Sequence, residues 1–169
     1  MKESFLNGRR ILAVDDELDV LTVLAEEIME ACPSCQFDKA TSYEVAAKML
    51  KSQTYDLVIL DIMGVGGFDL LNLAVSRSFR VAVLTAHALN PEALKRSIEM
   101  EARAYLPKEK LGEIVPFLED IFKYDSLTGW TRLLKTLHGF FDDRWGEYWQ
   151  RSDEKFWKEF KEKSAHIDS

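Results

Sequence analysis

The fold is decided by the stretch Tyr55-Asp56-Leu57-Val58-Ile59-Leu60-Asp61, a short apolar run that ends on a carboxylate. Its unbroken apolar centre predicts a strand that is buried on both faces, as in the middle of a parallel sheet. A second apolar run, at residues 10–14, ends on two more acids, Asp15 and Asp16. The sequence therefore predicts a parallel sheet with carboxylates at the carboxyl ends of its strands.

Strand-like and helix-like segments alternate from residue 9 to residue 124. Five strands alternating with five helices predict an α/β fold, a doubly wound five-stranded parallel sheet with helices on both faces. We predict strands at residues 10–14, 36–40, 57–60, 80–84 and 102–106, and helices at 17–31, 43–52, 68–77, 91–100 and 111–123.

Composition and charge narrow the classes of function. The 169 residues are 47% hydrophobic and 30% charged, which is typical of a soluble globular domain with an appendage. The formal charge of −7 argues against nucleic acid or an anionic membrane as the main partner. The sequence has no apolar run long enough to cross a bilayer and no signal-peptide core near Met1, so we expect a cytoplasmic protein.

Cys32 and Cys35 form a CPSC sequence that invites a redox or a zinc interpretation. A redox motif would follow a strand and open a helix, whereas this one follows a predicted helix. Zinc needs about four ligands, and the sequence offers no second cysteine pair. We interpret the motif as the loop that ends the first helix.

Acidic and polar residues follow four of the predicted strands, where parallel sheets bind ligands. A hard cation such as Mg2+ prefers oxygen ligands, and we expect direct ligation by Asp16 and Asp61, with Asp15 acting through water. Asp61 could then act as a nucleophile towards phosphorus if a donor and a cation lie nearby. Thr85 follows the fourth strand and can supply a hydroxyl, and Lys108 follows the fifth and can supply an ammonium group.

With these residues at its strand ends, the segment 9–124 resembles the receiver domain of two-component response regulators, which has a flavodoxin-like fold. The matching elements are the acidic pair, the phosphoacceptor, the switch hydroxyl and the aromatic-plus-lysine motif: Asp15-Asp16, Asp61, Thr85-Ala86 and Tyr105-Leu106-Pro107-Lys108. The resemblance implies Mg2+-dependent transfer of a phosphoryl group to Asp61 from a sensor histidine kinase or a phosphotransfer protein. It also implies a third metal ligand, the backbone carbonyl of Met63, and a switch in which Thr85 moves towards the phosphate and Tyr105 turns inward.

Two features depart from the family pattern. Glu109 stands where a proline usually follows the lysine, and a cis bond before a non-proline residue costs ~3 kcal/mol. The sequence leaves open whether the bond after Lys108 is cis or trans, and a trans bond would present Lys108 differently. The loop at residues 62–68 lacks the usual proline, is about two residues short, and contains three glycines that indicate unusual backbone angles. His87 could reach the mouth of the site, although an ordinary loop histidine is the simpler interpretation.

The composition changes after residue 125, so we predict a receiver at residues 1–125 and an aromatic-rich helical extension at 126–169. Nine of the 19 aromatic residues, including all four tryptophans, lie in residues 130–160. We read residues 125–129 as a break between helices and Ser152 as the cap of a final helix. The extension holds eight basic and eight acidic residues, and this balance and its shortness argue against DNA binding.

Two short helices cannot bury so many rings alone, so they must pack on the receiver, on each other or on another chain. We expect a response regulator, not an enzyme, whose extension forms a homodimer or binds a partner protein through exposed aromatic anchors. One alternative is a pseudo-receiver that docks without being phosphorylated. Another is a phosphatase with an aspartyl nucleophile, but Met63 stands where such enzymes carry an acid, and Met cannot transfer protons.

Overall fold

The sheet has five parallel strands in the order β2-β1-β3-β4-β5, as predicted for a doubly wound fold. The structure is a computed structural model that describes residues 4–63, 66–86 and 89–166. The strands are β1 (Arg10–Val14), β2 (Gln36–Ala40), β3 (Leu57–Asp61), β4 (Arg80–Thr85) and β5 (Ala104–Pro107).

Five helices follow the strands and cover the sheet. They are α1 (Leu18–Ala31), α2 (Tyr43–Ser52), α3 (Gly67–Ser76), α4 (Pro91–Glu99) and α5 (Ile114–Lys123), with a 3-10 helix at Lys108–Glu113 before α5. Helix α1 contacts α5, and α2 contacts α3. Every residue of β3 is buried, which is the property of a central strand covered on both faces.

The strand register explains why the polar residues meet. Asp61 pairs with Leu84, and Thr85 pairs with Pro107, the residue before Lys108. Strands β3 and β4 each run one residue further than predicted, so Asp61 and Thr85 belong to the sheet itself. The backbone of Asp61 and of Thr85 is therefore fixed by pairing with the neighbouring strand.

The CPSC segment is the loop that ends α1, as predicted. Cys32 caps the helix, because its N–H donates to the carbonyl of Ile28 at 2.8 Å. Both thiols are free and buried, and Cys35 Sγ donates to the carbonyl of Leu6 at 2.8 Å. The pair therefore attaches the N-terminal segment to the loop between α1 and β2.

The extension forms two helices, α6 (Ser126–Trp145) and α7 (Glu154–Ala165), joined by a 3-10 helix at Trp149–Asp153. The predicted break at residues 125–129 is wrong, because α6 already begins at Ser126 after its cap Asp125, which accepts from the Thr128 N–H at 2.8 Å. The prediction of Ser152 as the cap of α7 is also wrong. Asp153 accepts from the Phe156 N–H at 3.1 Å, whereas the Ser152 hydroxyl donates to the carbonyl of Trp149.

We call residues 126–166 the aromatic tail, and it packs on its own receiver. Helix α6 contacts α5 and the edge strand β5, and the 3-10 helix at Trp149–Asp153 contacts α4. The expectation of exposed aromatic anchors is wrong for five of the largest rings, which are buried or half-buried: Trp130, Phe141, Trp145, Trp149 and Trp157. None of the helices described is both long and apolar enough to cross a bilayer.

Candidate functional site

Three carboxylates meet at the carboxyl ends of β1 and β3. Oxygens of Asp15, Asp16 and Asp61 all lie within 4.8 Å of one another, with Asp15 and Asp61 buried and Asp16 exposed. The fold therefore brings these three residues together, as the sequence predicted. Like charges at this distance repel, so a bound cation would lower the free energy of the cluster.

Lys108 reaches into the cluster from the end of β5. Its Nζ lies 2.9 Å from Asp15 Oδ2 and 3.3 Å from Asp61 Oδ2, and its side chain is only 12% exposed. The described residues contain no cis peptide bond, so the Lys108–Glu109 bond is trans. Glu109 therefore does not prevent Lys108 from bridging the two buried acids.

Two backbone N–H groups fix the orientation of the buried carboxylates. The Glu17 N–H donates to Asp15 Oδ1 at 2.9 Å, and the Met63 N–H donates to Asp61 Oδ1 at 3.0 Å. Each acid thereby has one oxygen held by the backbone, while the other faces Lys108. The Glu17 carboxylate also lies 3.9 Å from Lys108 Nζ, a contact that the sequence did not indicate.

Burial and neighbouring charge shift the pKa of both members of the ion pair. Burial raises the pKa of Asp15 above its ordinary value, although the Lys108 ammonium and the Glu17 N–H oppose that shift. Burial also tends to lower the pKa of Lys108, but its contacts with Asp15 and Asp61 outweigh this effect and raise the pKa overall. Lys108 therefore stays charged at neutral pH.

Thr85 and Tyr105 occupy adjoining strands behind the acids, and both are fully buried. Tyr105 pairs with Val83 across the ladder, so its side chain lies on the same face of the sheet as that of Thr85, two residues further along β4. Burial raises the pKa of Tyr105, so the phenol is neutral at neutral pH. The two predicted switch residues are therefore neighbours in the sheet, and their roles in switching stay a prediction.

A cavity of about 320 Å³ opens beside the acids, at the predicted metal site. Sequence reasoning missed part of its wall, which comes from the start of α2. Asp15, Asp16 and Asp61 line it together with Thr41, Ser42, Tyr43 and Glu44. The signal for these residues was the predicted helix start at residue 43, which places that helix N-terminus at the same edge of the sheet as the acids.

The glycine-rich loop after Asp61 approaches its neighbours closely where it is described. Gly66 has a φ of +74°, and a Cβ there would lie 2.5 Å from the Tyr43 ring. A Cβ on Gly67 would lie 2.7 Å from the carbonyl oxygen of Ile62. Glycine is therefore required at both positions. Gly64 and His87 lie outside the described residues.

The donor set suits Mg2+. Hard cations prefer carboxylate and carbonyl oxygens, and the cluster offers three carboxylates with no sulfur or imidazole among them. Asp15 Oδ2 is buried and close to Lys108, yet makes no hydrogen bond of good geometry, so it retains capacity for a ligand. Ligation by the Met63 carbonyl stays a prediction, and the Met63 side chain is 55% exposed.

A five-stranded parallel sheet with three acids and a lysine at its strand ends defines a receiver-type protein. A sequence model of the response regulator receiver domain matches residues 11–118, and the chain belongs to this family, whose members act in two-component signalling. Receiver domains are phosphoacceptors rather than conventional enzymes and typically bind Mg2+ at such an acidic cluster. No curated protein sequence matches the chain significantly.

Several solved structures share the fold. A response regulator from Thermotoga maritima is 18% identical with a TM-score of 0.61, covering 69% of this chain and 98% of its own. The signal receiver domain of a DNA-binding response regulator from Colwellia psychrerythraea 34H is 22% identical with a TM-score of 0.57, covering 65% and 97%. A response regulator from Burkholderia pseudomallei with a phosphorylated aspartic acid, calcium ion and citrate is 18% identical with a TM-score of 0.57, covering 64% of each chain.

Proposed function

We propose that this receiver accepts a phosphoryl group on Asp61 in a Mg2+-dependent reaction and signals through protein–protein contacts. The observation that carries the proposal is the bridge of Lys108 Nζ to both Asp15 and Asp61 at the acidic cluster. Positive charge next to Asp61 is what an incoming phosphoryl group needs, because three negative oxygens must approach a carboxylate.

In the proposed reaction an oxygen of Asp61 attacks the phosphorus of a phosphorylated donor. The new P–O bond forms as the bond from phosphorus to the donor breaks, and the donor leaves with that electron pair. The Met63 N–H and Lys108 orient the carboxylate for attack. Asp15, Asp16, Asp61 and the carbonyl of Met63 would hold Mg2+, which when bound neutralises charge on the transferred group.

The fixed lysine favours this function over a pseudo-receiver. A docking module would have no use for an ammonium group buried between two carboxylates, which is an arrangement with a high desolvation cost. We propose a sensor histidine kinase or a phosphotransfer protein as the donor, because such partners are general to the family.

The proposed output element is residues 126–169, with a receiver at residues 1–125. The aromatic face of this extension packs on the receiver. A homodimer or a partner complex that used the same rings would have to displace that packing. The rims of the tail stay accessible, and Tyr148 is 60% exposed.

The test is intact-mass spectrometry of the full chain after incubation with acetyl phosphate, with and without Mg2+. We expect the gain of one phosphoryl group that requires Mg2+ and that hydroxylamine removes, as an acyl phosphate should behave. The Asp61→Asn variant should gain nothing. The matched control is Asp69→Asn, which removes an exposed carboxylate on α3 and should behave as the unaltered protein.

Two outcomes would contradict the proposal. An unchanged mass in the unaltered protein with Mg2+ present would support the pseudo-receiver. An equal gain in Asp61→Asn would place the phosphoryl group on another residue.

A further inference from the structure

Cys32 and Cys35 stand at the two ends of a tight turn after α1. The Cys35 N–H donates to the carbonyl of Cys32 at 3.2 Å, which is the hydrogen bond that closes a β-turn. Such a turn brings its first and last Cα atoms within about 7 Å, and a disulfide usually joins Cα atoms about 4.4–6.8 Å apart. The backbone of the turn therefore places the two cysteines within reach of a disulfide.

Both thiols contact the same short segment of the chain. Cys35 Sγ donates to the carbonyl of Leu6 at 2.8 Å, and Cys32 Sγ donates to Asn7 Oδ1 at 3.6 Å. Because Leu6 and Asn7 are adjacent in sequence, the two sulfur atoms lie on the same side of the turn. The side chains therefore do not diverge, which is the second geometric condition for a disulfide.

The thiols lie beneath a thin layer of polar side chains. Cys32 is 1% exposed and Cys35 is 5% exposed. Asn7 and Ser34, which both contact Cys32 Sγ, are exposed, and so is Pro33 within the turn. Movement of the Asn7 and Ser34 side chains alone therefore uncovers Cys32 to a small reagent.

The two thiols differ in acidity. Burial opposes the ionisation of Cys32, but its polar neighbours, chiefly Cys35 and Ser34, outweigh burial and lower the pKa of Cys32 below its ordinary value. Burial raises the pKa of Cys35 to about 12, so that thiol stays protonated at neutral pH. Because the thiolate is the reactive form of cysteine, Cys32 is the sulfur that attacks first.

We propose that Cys32 and Cys35 are a redox modification site that forms a reversible disulfide with a small disulfide of the glutathione class as oxidant. The Cys32 thiolate attacks one sulfur of that oxidant, and the other half leaves as a thiolate with the electron pair of the broken S–S bond. Cys35 gives its proton to this thiolate, attacks the Cys32 sulfur and releases the second half, which takes a proton from water. Two protein thiols are oxidised, and one external disulfide is reduced to two thiols.

The disulfide should be easy to reverse. The ring that it closes contains only four residues, and the stabilisation by a disulfide grows with the length of the closed loop. Disulfides that stabilise a fold little are the more readily reduced ones, which is typical of regulatory rather than structural pairs. A thiol reductant should therefore restore both cysteines.

Oxidation changes how the N-terminal strap, residues 4–8, is attached to the turn. Both sulfur atoms lose the protons that they now donate to the carbonyl of Leu6 and to Asn7. The remaining attachment is at Gly8, whose N–H donates to Ser34 Oγ at 2.9 Å. Because acceptors without a donor destabilise the buried side of a contact, oxidation loosens the strap around Leu6.

The redox site lies at the opposite edge of the sheet from the acids. The strap precedes β1 and the turn precedes β2, so both are at the amino ends of the strands. The acidic cluster is at the carboxyl ends of the parallel strands. Oxidation of the cysteines therefore does not require the chemistry proposed for Asp61.

The test is intact-mass spectrometry of the full folded chain after incubation with oxidised glutathione and quenching with iodoacetamide in urea. We expect the mass to fall by two hydrogen atoms with no alkyl group added, and dithiothreitol should restore two alkylatable thiols. Cys35→Ser should stop at a mixed disulfide that carries one glutathione, because the second thiol is missing. Cys32→Ser should react far more slowly, because Cys35 stays protonated.

Hydrogen exchange measures the effect on the strap. The amide hydrogens of residues 6–9 should exchange faster in the oxidised protein than in the reduced one, whereas those of residues 57–61 in the central strand should be unchanged. Cys35→Ala removes the donor to Leu6 and cannot form the disulfide. It should therefore speed exchange at residues 6–9 and show no further change with oxidised glutathione.

Three results would contradict the proposal. If the folded chain keeps two alkylatable thiols under conditions that oxidise the urea-unfolded chain, the turn does not form the disulfide. If the disulfide forms and exchange at residues 6–9 is unchanged, the strap does not respond to it. If Cys32→Ser takes up glutathione as fast as Cys35→Ser, Cys32 is not the attacking sulfur. Each of these results leaves the mass-spectrometric test of Asp61 unaffected.

Discussion

The acidic site and the aromatic tail both involve β5, which presents Lys108 to the acids and packs against α6, but the two regions are held together by different forces. The site gathers three carboxylates and one ammonium group at strand ends, so its chemistry depends on a few atoms at fixed positions. The tail is held mainly by ring contacts spread over two helices. The properties of the acidic site therefore depend on charge, whereas the stability of the docked tail depends on buried apolar area and on shape.

This difference has energetic consequences. Three carboxylates share one ammonium group in the site, so the remaining repulsion between them lowers the free energy of unfolding. A bound metal cation would relieve that repulsion. The tail removes large apolar rings from water and stabilises the chain whether or not a ligand is bound. Changes in Mg2+ or pH should therefore affect the two regions unequally.

Removal of the bridging lysine should have the largest effect on stability. Lys108→Met leaves Asp15 and Asp61 buried without their shared cation, and breaking a buried pair in this way costs about 3–5 kcal/mol of unfolding free energy. Saturating Mg2+ should restore part of that loss, because it supplies positive charge to the same oxygens. Urea unfolding with a chelator and with Mg2+ measures both effects.

The control for this prediction is Lys48→Met, which removes an exposed ammonium group from α2. It should cost well under 1 kcal/mol, as surface changes usually do. A loss for Lys108→Met no larger than the control, or one that Mg2+ does not reduce, would mean that the ion pair contributes little to the fold.

Most of the site could be predicted because topology determines it. Once Asp15, Asp61 and Lys108 were assigned to strand ends of one parallel sheet, their meeting followed. Glu17 and Tyr43 were missed because their approach depends on how α1 and α2 begin, which periodicity does not resolve. The sequence left the geometry of the bond after Lys108 open, because Glu109 replaces the usual proline; the structure has it trans, with the lysine still on both acids.

The tail was less predictable for a physical reason. Apolar residues at helical spacing indicate that a face is buried, but not what buries it. The start of α6 was misplaced because Gly129 was read as part of a break, although one glycine costs a helix only about 1 kcal/mol. Docking on β5 depends on matched shapes, such as Trp145 over Tyr105, which no local pattern encodes.

A change in the tail should produce an intermediate effect that is insensitive to Mg2+. Trp130→Phe keeps an aromatic ring but leaves the buried carbonyl of Ala102 without its donor, which costs about 1–3 kcal/mol. The loss should be the same in chelator and in Mg2+. Trp157→Phe, which trims an equally buried indole packed among other rings, is the matched control and should cost less. Strong dependence on Mg2+ would show that even the start of α6 is coupled to the site.

The smallest predicted effect concerns pH and has the opposite sign from the other two. Burial raises the pKa of Asp15, so the folded state holds the proton more tightly than the unfolded state does. The stability from this proton is complete below the unfolded pKa of about 3.9 and is lost as pH rises through the folded pKa. Without Mg2+ at neutral pH, Asp15→Asn should therefore stabilise the fold by about 1 kcal/mol, the usual size of a single-site change. Paired urea titrations of the variant and the unaltered protein from acidic to neutral pH measure this difference, which should grow with pH. A difference that shrinks as pH rises would mean that attraction to Lys108, rather than burial, controls Asp15.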